Sequence, residues 1–310
     1  MDFPIEQFIE TETPFYYYDL ELLRKTLYVI KENVSLFPHF HVHYAIKANA
    51  NPRILSLIAK EGFGADCVSG GEVITANQNG FSPEKIVFAG VGKSDAEICQ
   101  ALTVGIECFN VESIQELEII NEIATSMGKI AHVAFRVNPN VDAHTHAKIT
   151  TGLNENKFGI DIQDIISTIQ YCQTLDHVVY EGLHFHIGSQ ILRLEAYREL
   201  CEKINDLQDL IDNLGIYTRI INVGGGLGID YMHPDTNPIA DFPTYFSIFS
   251  NHLKLRQGQQ VYFELGRSIV GQCGTLVART LFVKEGHTKK FVIVDAGFTD
   301  LIRPALSAAA

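Results

Sequence analysis

The sequence predicts an α/β fold: a (β/α)8, TIM-like barrel followed by an incomplete all-β domain that the N-terminal strand helps to build. Three observations carry this. First, eight short apolar runs alternate with helical patterns between residues 42 and 265. Such alternation marks a parallel sheet covered on both faces. Second, polar residues with chemical potential fall at the carboxyl ends of many of those runs, where barrels of this kind gather their active sites. They are Lys47, Asp66, Arg136 with Asn138, His186 with Ser189, Gly224 to Gly226, and Glu264 with Arg267. Third, the alternation stops after residue 267 and two hairpin-like strands take its place. A doubly wound open sheet is the alternative arrangement of the same elements.

Residues 14–18, Pro-Phe-Tyr-Tyr-Tyr, read as a short aromatic strand. Asp19 can cap a helix running to about residue 35, with Leu20, Leu23, Leu27 and Ile30 on one face. The strands that follow are Val42–Ile46, Gly64–Val68, Ile86–Ala89, Glu107–Val111, His132–Val137, Val178–His186, Arg219–Val223 and Val261–Leu265. Between them lie helical patterns at 52–61, 70–79, 94–104, 112–127, 161–175, 194–215 and 241–256. Leu276–Lys284 and Lys290–Val294 then read as strands joined by the turn Glu285-Gly286-His287-Thr288. Two strands alone are marginal in water, so strand 14–18 is the natural further partner. The expected division is a barrel over 20–266 and the start of a β-domain over 267–310, joined by residues 1–19. The ending Ser-Ala-Ala-Ala, directly after a structured motif, suggests a truncated chain.

Of the 310 residues, 46% are hydrophobic and 20% charged, enough apolar material for one barrel or two domains. A net charge of −13 and no long Lys/Arg run argue against nucleic acid or an anionic membrane as partner. The six cysteines are scattered through apolar segments with no Cys-x-x-Cys pair, which suits reduced thiols in a cytoplasmic protein. The opening Met-Asp-Phe-Pro-Ile-Glu-Gln has neither the basic region nor the apolar run of a signal peptide. No apolar run reaches the length of a membrane span.

Chemistry concentrates in a few stretches. His43-Tyr44-Ala45-Ile46-Lys47 reads as a buried strand ending in a lysine. Such a lysine either snorkels to water or is desolvated enough to lose its proton and attack a carbonyl. The run Gly224-Gly225-Gly226 can expose backbone N–H groups to an anion, or simply form a tight turn. Glu264 can pair with a ring nitrogen and Arg267 with a phosphate or carboxylate; otherwise the two form a local ion pair. His186 can stack on a planar cofactor and Ser189 bond its phosphate. Asp66 either tunes the lysine or caps a helix, and Arg136 either supports the cofactor or pairs with a nearby carboxylate. The His-x-His pairs 41/43, 144/146 and 184/186 leave a zinc site as the competing reading, under which Lys47 and the glycine run have no role.

Taken together, several motifs resemble the pyridoxal-phosphate decarboxylases of the alanine-racemase-like fold, which act on ornithine, arginine and diaminopimelate. They are Tyr44-Ala45-Ile46-Lys47-Ala48-Asn49, Gly64-Ala65-Asp66-Cys67-Val68-Ser69-Gly70-Gly71-Glu72, Arg136-Val137-Asn138-Pro139, Lys157-Phe158-Gly159-Ile160, His186-Ile187-Gly188-Ser189, Gly224-Gly225-Gly226-Leu227-Gly228 and Glu264-Leu265-Gly266-Arg267. The run from Arg136 to Ile160 looks more like the diaminopimelate enzymes than the ornithine ones. The resemblance implies decarboxylation of meso-2,6-diaminopimelate to L-lysine and CO₂ with pyridoxal 5'-phosphate as cofactor. Lys47 would be the Schiff-base lysine, His186 would stack on the ring, and Glu264 would pair with the pyridine nitrogen. Ser189, Gly224, Gly225 and Gly226 would hold the phosphate. Asp66, Arg136, Gly266 and Arg267 complete the implied cofactor set, and Arg267 with Arg303 would grip the substrate carboxylate. A homodimer with shared active sites is implied too. Two departures stand out: Leu265 where the family has proline, and no counterpart of the late β-domain with its Cys-Glu motif and tyrosine. On that count the alternatives are a silent cofactor-binding relative or a decarboxylase of another basic amino acid.

Overall fold

The computed structural model describes residues 3–141 and 158–302. Its strands, in chain order, are β1 (Phe15–Tyr18), β2 (Phe40–Ala45), β3 (Gly64–Cys67), β4 (Ile86–Phe88), β5 (Cys108–Val111), β6 (Ala131–Asn138), β7 (Ile160–Asp161), β8 (Val178–His184), β9 (Ile220–Asn222), β10 (Gln260–Leu265), β11 (Gly274–Val277), β12 (Thr280–Glu285) and β13 (Lys290–Val294). Eight of them pair side by side in the order β5-β4-β3-β2-β10-β9-β8-β6, and a β5–β6 pairing closes the ring. Every pairing in the ring is parallel. Closure excludes the open doubly wound sheet, which would leave two strand edges unpaired.

The sequence explains why these segments are strands. Every residue of β3, β4, β5 and β9 is buried, as short apolar runs covered on both faces must be. Inside the ring, Val87, Cys108, Ala134, Ile220 and Tyr262 pack together. Outside it, a much larger core lies between the sheet and the helices. Phe263 of β10 is ringed by Phe40, Tyr245, Phe246 and Phe249 at centroid distances of 5.0–5.7 Å. Such aromatic pairs add about 0.5–1.5 kcal/mol each beyond area burial. Side-chain caps start the helices: Asp19 accepts from Glu21 N and Leu22 N, and buries Leu23, Leu27 and Ile30 of helix Leu20–Val34 behind it. Asn51, Ser69, Ser113 and Asp241 cap later helices in the same way.

Beyond the barrel, β1 pairs antiparallel with β11, from Phe15↔Val277 to Tyr18↔Gly274. β12 and β13 form a separate antiparallel hairpin whose residues are all exposed. The expected single strand 276–284 is therefore two, because the chain changes partner at Ala278–Arg279. Strand 178–186 ends at His184, two residues short of the expectation. The residues 142–157, which include His144, His146 and Lys157, and Arg303 lie outside the described residues.

Candidate active site

At the carboxyl end of β2 the chain closes a single 3₁₀ turn, Ile46–Ala48. Tyr44 Oη donates to Asn49 O at 3.0 Å and pins that turn to the strand. Lys47 thus sits two residues past the strand, not within it. Its side chain is 48% exposed and lines a cavity of about 810 Å³ at the carboxyl face of the barrel. His186, Ser189, Gly226, Glu264, Gly266 and Arg267 line the same cavity, and Tyr16, Tyr18 and Leu276 from β1 and β11 form part of its wall.

Register brings Asp66 to the lysine, since Ala45 of β2 lies opposite Asp66 of β3. Lys47 Nζ donates to Asp66 Oδ2 at 2.7 Å. Asp66 caps no helix, because Ser69 does that work for Gly70–Gln78. Burial pulls the Lys47 pKa down, but the charges of Asp66 and Glu264 and the Asp66 hydrogen bond outweigh it and leave the pKa raised. Burial therefore does not by itself set the direction at Lys47; the carboxylates around it do. Burial and the charge of Glu264 push the Asp66 carboxyl upward, against the pull of Lys47.

Glu264 is almost wholly buried at the end of β10. Asn110 Nδ2 of β5 and Asn222 Nδ2 of β9 donate to its Oε1 at 3.1 and 2.7 Å. His184 Nε2 of β8 lies 2.9 Å from Oε2. Burial alone would raise this carboxyl, yet His184 and Lys47 hold it well below the usual range. A carboxyl held low in this way suits a protonated ring nitrogen. No Glu264–Arg267 ion pair forms among the described residues; each makes other contacts.

His186 accepts a hydrogen bond at Nδ1 from Gly225 N at 3.4 Å, which leaves Nε2 as the protonated nitrogen. Burial, with the charges of Arg136 and Lys47, pushes its pKa down to about 3, so its ring is neutral. The three glycines do different work. Gly224 N donates to Asn222 Oδ1 at 3.0 Å. A Cβ on Gly225 would lie 1.8 Å from Glu264 O, so only glycine lets β9 and β10 run together there. Gly226, at φ +104°, alone of the three lines the cavity. The Gly224 and Gly225 N–H groups are thus engaged within the protein. Opposite them, Arg267 Nη2 donates to Ser189 Oγ at 3.2 Å and Nη1 to Tyr231 Oη at 2.6 Å.

Arg136 does not line the cavity. Its Nη1 donates to buried Glu112 Oε1 at 3.0 Å, and its guanidinium lies 4.6 Å from the Phe158 ring centre. Glu112 also accepts from Gly90 N and Gly159 N at 2.9 and 3.2 Å, tying three loops to one carboxylate. The His-x-His pairs divide too: His41 bonds Gln260 at 2.7 Å, while His43 packs on Tyr262 with ring centres 4.5 Å apart. Asn110, Asn222, Glu112 and Tyr231 were not singled out from sequence. For Asn110, Asn222 and Glu112 the one signal was a lone amide or carboxylate inside or just after an apolar strand run, as in Phe109-Asn110-Val111-Glu112; Tyr231, in a loop, had none.

A closed parallel barrel with a lysine, a buried carboxylate and an imidazole around one cavity has the parts of a pyridoxal-phosphate enzyme. Residues 24–271 match the family described as pyridoxal-dependent decarboxylase, pyridoxal binding domain. The diaminopimelate decarboxylase of Bacteroides thetaiotaomicron is 57% identical over 304 residues, covering 98% of this chain and 79% of the relative. That of Aquifex aeolicus is 41% identical over 295 residues, or 95% and 69% of the two chains. The crystal structure of Helicobacter pylori diaminopimelate decarboxylase complexed with L-lysine superposes with a TM-score of 0.91 at 40% identity, covering 98% of this chain and 76% of the other. The chain belongs to the diaminopimelate decarboxylase family of pyridoxal-dependent decarboxylases.

The residues present fit that cofactor. Asp66 Oδ1 and Arg267 Nε are buried without a hydrogen-bond partner, one an acceptor beside the amine and one a donor suited to an oxyanion. A primary amine, a fixed anion and a cluster of oxyanion donors are the groups an aldehyde, a pyridinium and a phosphate require.

Proposed function

We propose that this chain decarboxylates meso-2,6-diaminopimelate to L-lysine and CO₂, with Lys47 as the lysine that holds pyridoxal phosphate. The observation that carries this reading is that Lys47, bonded to Asp66, and Glu264 line one cavity. When bound, pyridoxal phosphate supplies an electron sink for the pair of electrons left behind by CO₂.

The chain's own residues divide the remaining work. Asp66 Oδ2 accepts from Lys47 Nζ along the 2.7 Å hydrogen bond and orients the amine at the cavity wall. Glu264 would hold a proton on the ring nitrogen of the bound cofactor, and Asn110, Asn222 and His184 keep its carboxylate from turning away. Neutral His186 offers an uncharged face for stacking, fixed by Gly225 N. Ser189, Gly226, Gly266 and Arg267 serve the phosphate, with Gly224 and Gly225 shaping the turn behind them. Arg267, with Arg303, serves a substrate carboxylate. Glu112 orients Arg136 beneath the site.

The described residues after 267, with strand β1, belong to a β-domain apart from the barrel, and the working form is a homodimer in the cytoplasm. No helix among the described residues is long and apolar enough to cross a membrane. The test is direct: the chain loaded with pyridoxal phosphate is given meso-diaminopimelate, and CO₂ and lysine are measured. Release of both is expected. Loaded protein that releases neither, or that prefers ornithine, contradicts the assignment.

A further inference from the structure

Past β9 the chain crosses the rim of the cavity between Ile229 and Asn237, and three anchors set its path. Gln190, with a left-handed backbone at φ +59°, turns both ends of its amide to one residue. Its Nε2 donates to Ile229 O at 2.7 Å and its Oε1 accepts from Ile229 N at 3.2 Å. Asp230 Oδ1 accepts from Met232 N and His233 N, both at 2.9 Å, and its Oδ2 from Asn237 Nδ2 at 2.9 Å. Gln272 Nε2 donates to Asn237 O at 2.6 Å and ties the far end of the loop to the segment before β11.

These anchors hold Tyr231 over the cavity, where its hydroxyl accepts from Arg267 Nη1 at 2.6 Å. The other terminal nitrogen, Nη2, donates to Ser189 Oγ at 3.2 Å. A guanidinium fastened at both terminal nitrogens has its plane fixed. Its Nε is buried and lacks a partner. A buried charged donor left unmatched is costly, so an oxyanion that meets it is bound the more tightly.

We propose that Tyr231 is a positioning residue, braced by Gln190 and Asp230, that holds Arg267 in the orientation that captures an oxyanion in the cavity. The oxyanion is the cofactor's phosphate or a substrate carboxylate, so the proposal rests on the cavity being the pyridoxal-phosphate site. The hydroxyl is the part of Tyr231 that matters, so Tyr231→Phe is the informative variant.

Two binding measurements separate the sources. Absorbance titration with pyridoxal phosphate reads the phosphate. Titration of the loaded protein with meso-diaminopimelate, compared with L-lysine, which has one carboxylate fewer, reads the carboxylate. Tyr231→Phe weakens one of these about fivefold to tenfold, as expected for a hydrogen bond to a charged group on a partly exposed residue. Arg267→Lys weakens the same one, and the double variant binds no more weakly than Arg267→Lys alone, because the two residues act as a unit. Asp230→Ala, which loosens the loop with both partners intact, gives a smaller loss of the same kind. Thermal melts confirm that each variant is folded. Tyr231→Phe within twofold of the unchanged protein in both titrations overturns the proposal, as do additive losses in the double variant. Should the unchanged protein fail to bind pyridoxal phosphate at Lys47, the cofactor role of the cavity is what fails. The proposal is then judged by calorimetry with inorganic phosphate, whose affinity Tyr231→Phe must lower; no phosphate binding at all also overturns it.

Discussion

Glu264 shows how much of this chemistry depends on single side chains. Its carboxylate is surrounded by two amides and an imidazole from three different strands, so a neutral replacement changes charge without leaving a hole. Glu264→Gln is expected to lower kcat by about 10²-fold or more, the scale of a positioned proton, with the fold retained by circular dichroism. A variant within threefold of the unchanged enzyme would remove the carboxylate from the mechanism. His186 makes a second residue-level prediction. With its pKa pushed to about 3 from 6.5, its NMR signals stay those of a neutral ring across neutral pH, and protonation near 6.5 would contradict a ring buried beside Arg136 and Lys47. Lys47 and Glu264 were legible in the sequence because a lysine or carboxylate closing an apolar strand is chemically expensive. Lysine's protonation was not legible, since it depends on Asp66 and Glu264 arriving from other strands. Nor were Asn110 and Asn222, each a single amide whose purpose appears only when β5, β9 and β10 are placed around one ring.

Elements were read more completely than sites. All eight barrel strands and the seven helices between them fall within a few residues of the expected bounds, since apolar runs, caps and glycines are local signals. What failed was where elements stop. The 3₁₀ turn at Lys47 and the early end of β8 reflect the cavity's needs, and the division of β11 from β12 reflects a change of pairing partner; neither has a local signature. Two substitutions probe this scale. Gly225→Ala would put a methyl 1.8 Å from Glu264 O and must spread β9 from β10. Overpacking of this kind costs about 1–3 kcal/mol or more, so the melting temperature drops and cofactor affinity falls with it. Asp19→Ala removes the cap on helix Leu20–Val34, none of whose residues lines the cavity, at a cost of about 1 kcal/mol with cofactor binding unaffected. Equal losses from the two would show that the glycine is ordinary.

At the scale of the whole molecule, the barrel separates stability from chemistry. Its carboxyl end holds the cavity, while toward its amino end Glu181 accepts from His132 at 2.6 Å and from Arg219 Nε. Burial raises the Glu181 carboxyl, but the His132 and Arg219 hydrogen bonds outweigh it and leave the pKa below 4.5. A carboxyl depressed on folding binds fewer protons native than unfolded. Its contribution is therefore complete above 4.5 and is lost as pH falls through the lower folded value. Denaturant midpoints are expected to fall across that acid window, and to fall less in Glu181→Gln. A variant that loses stability with acid as steeply as the unchanged protein would place the dependence elsewhere.

The central claim is that Lys47 holds the cofactor. Borohydride reduction of the chain with pyridoxal phosphate, followed by peptide mass spectrometry, tests it most directly. The added pyridoxyl mass is expected on the peptide carrying Lys47 and is absent in folded Lys47→Ala. Label on another lysine, or an unlabelled Lys47 in folded protein, would contradict it.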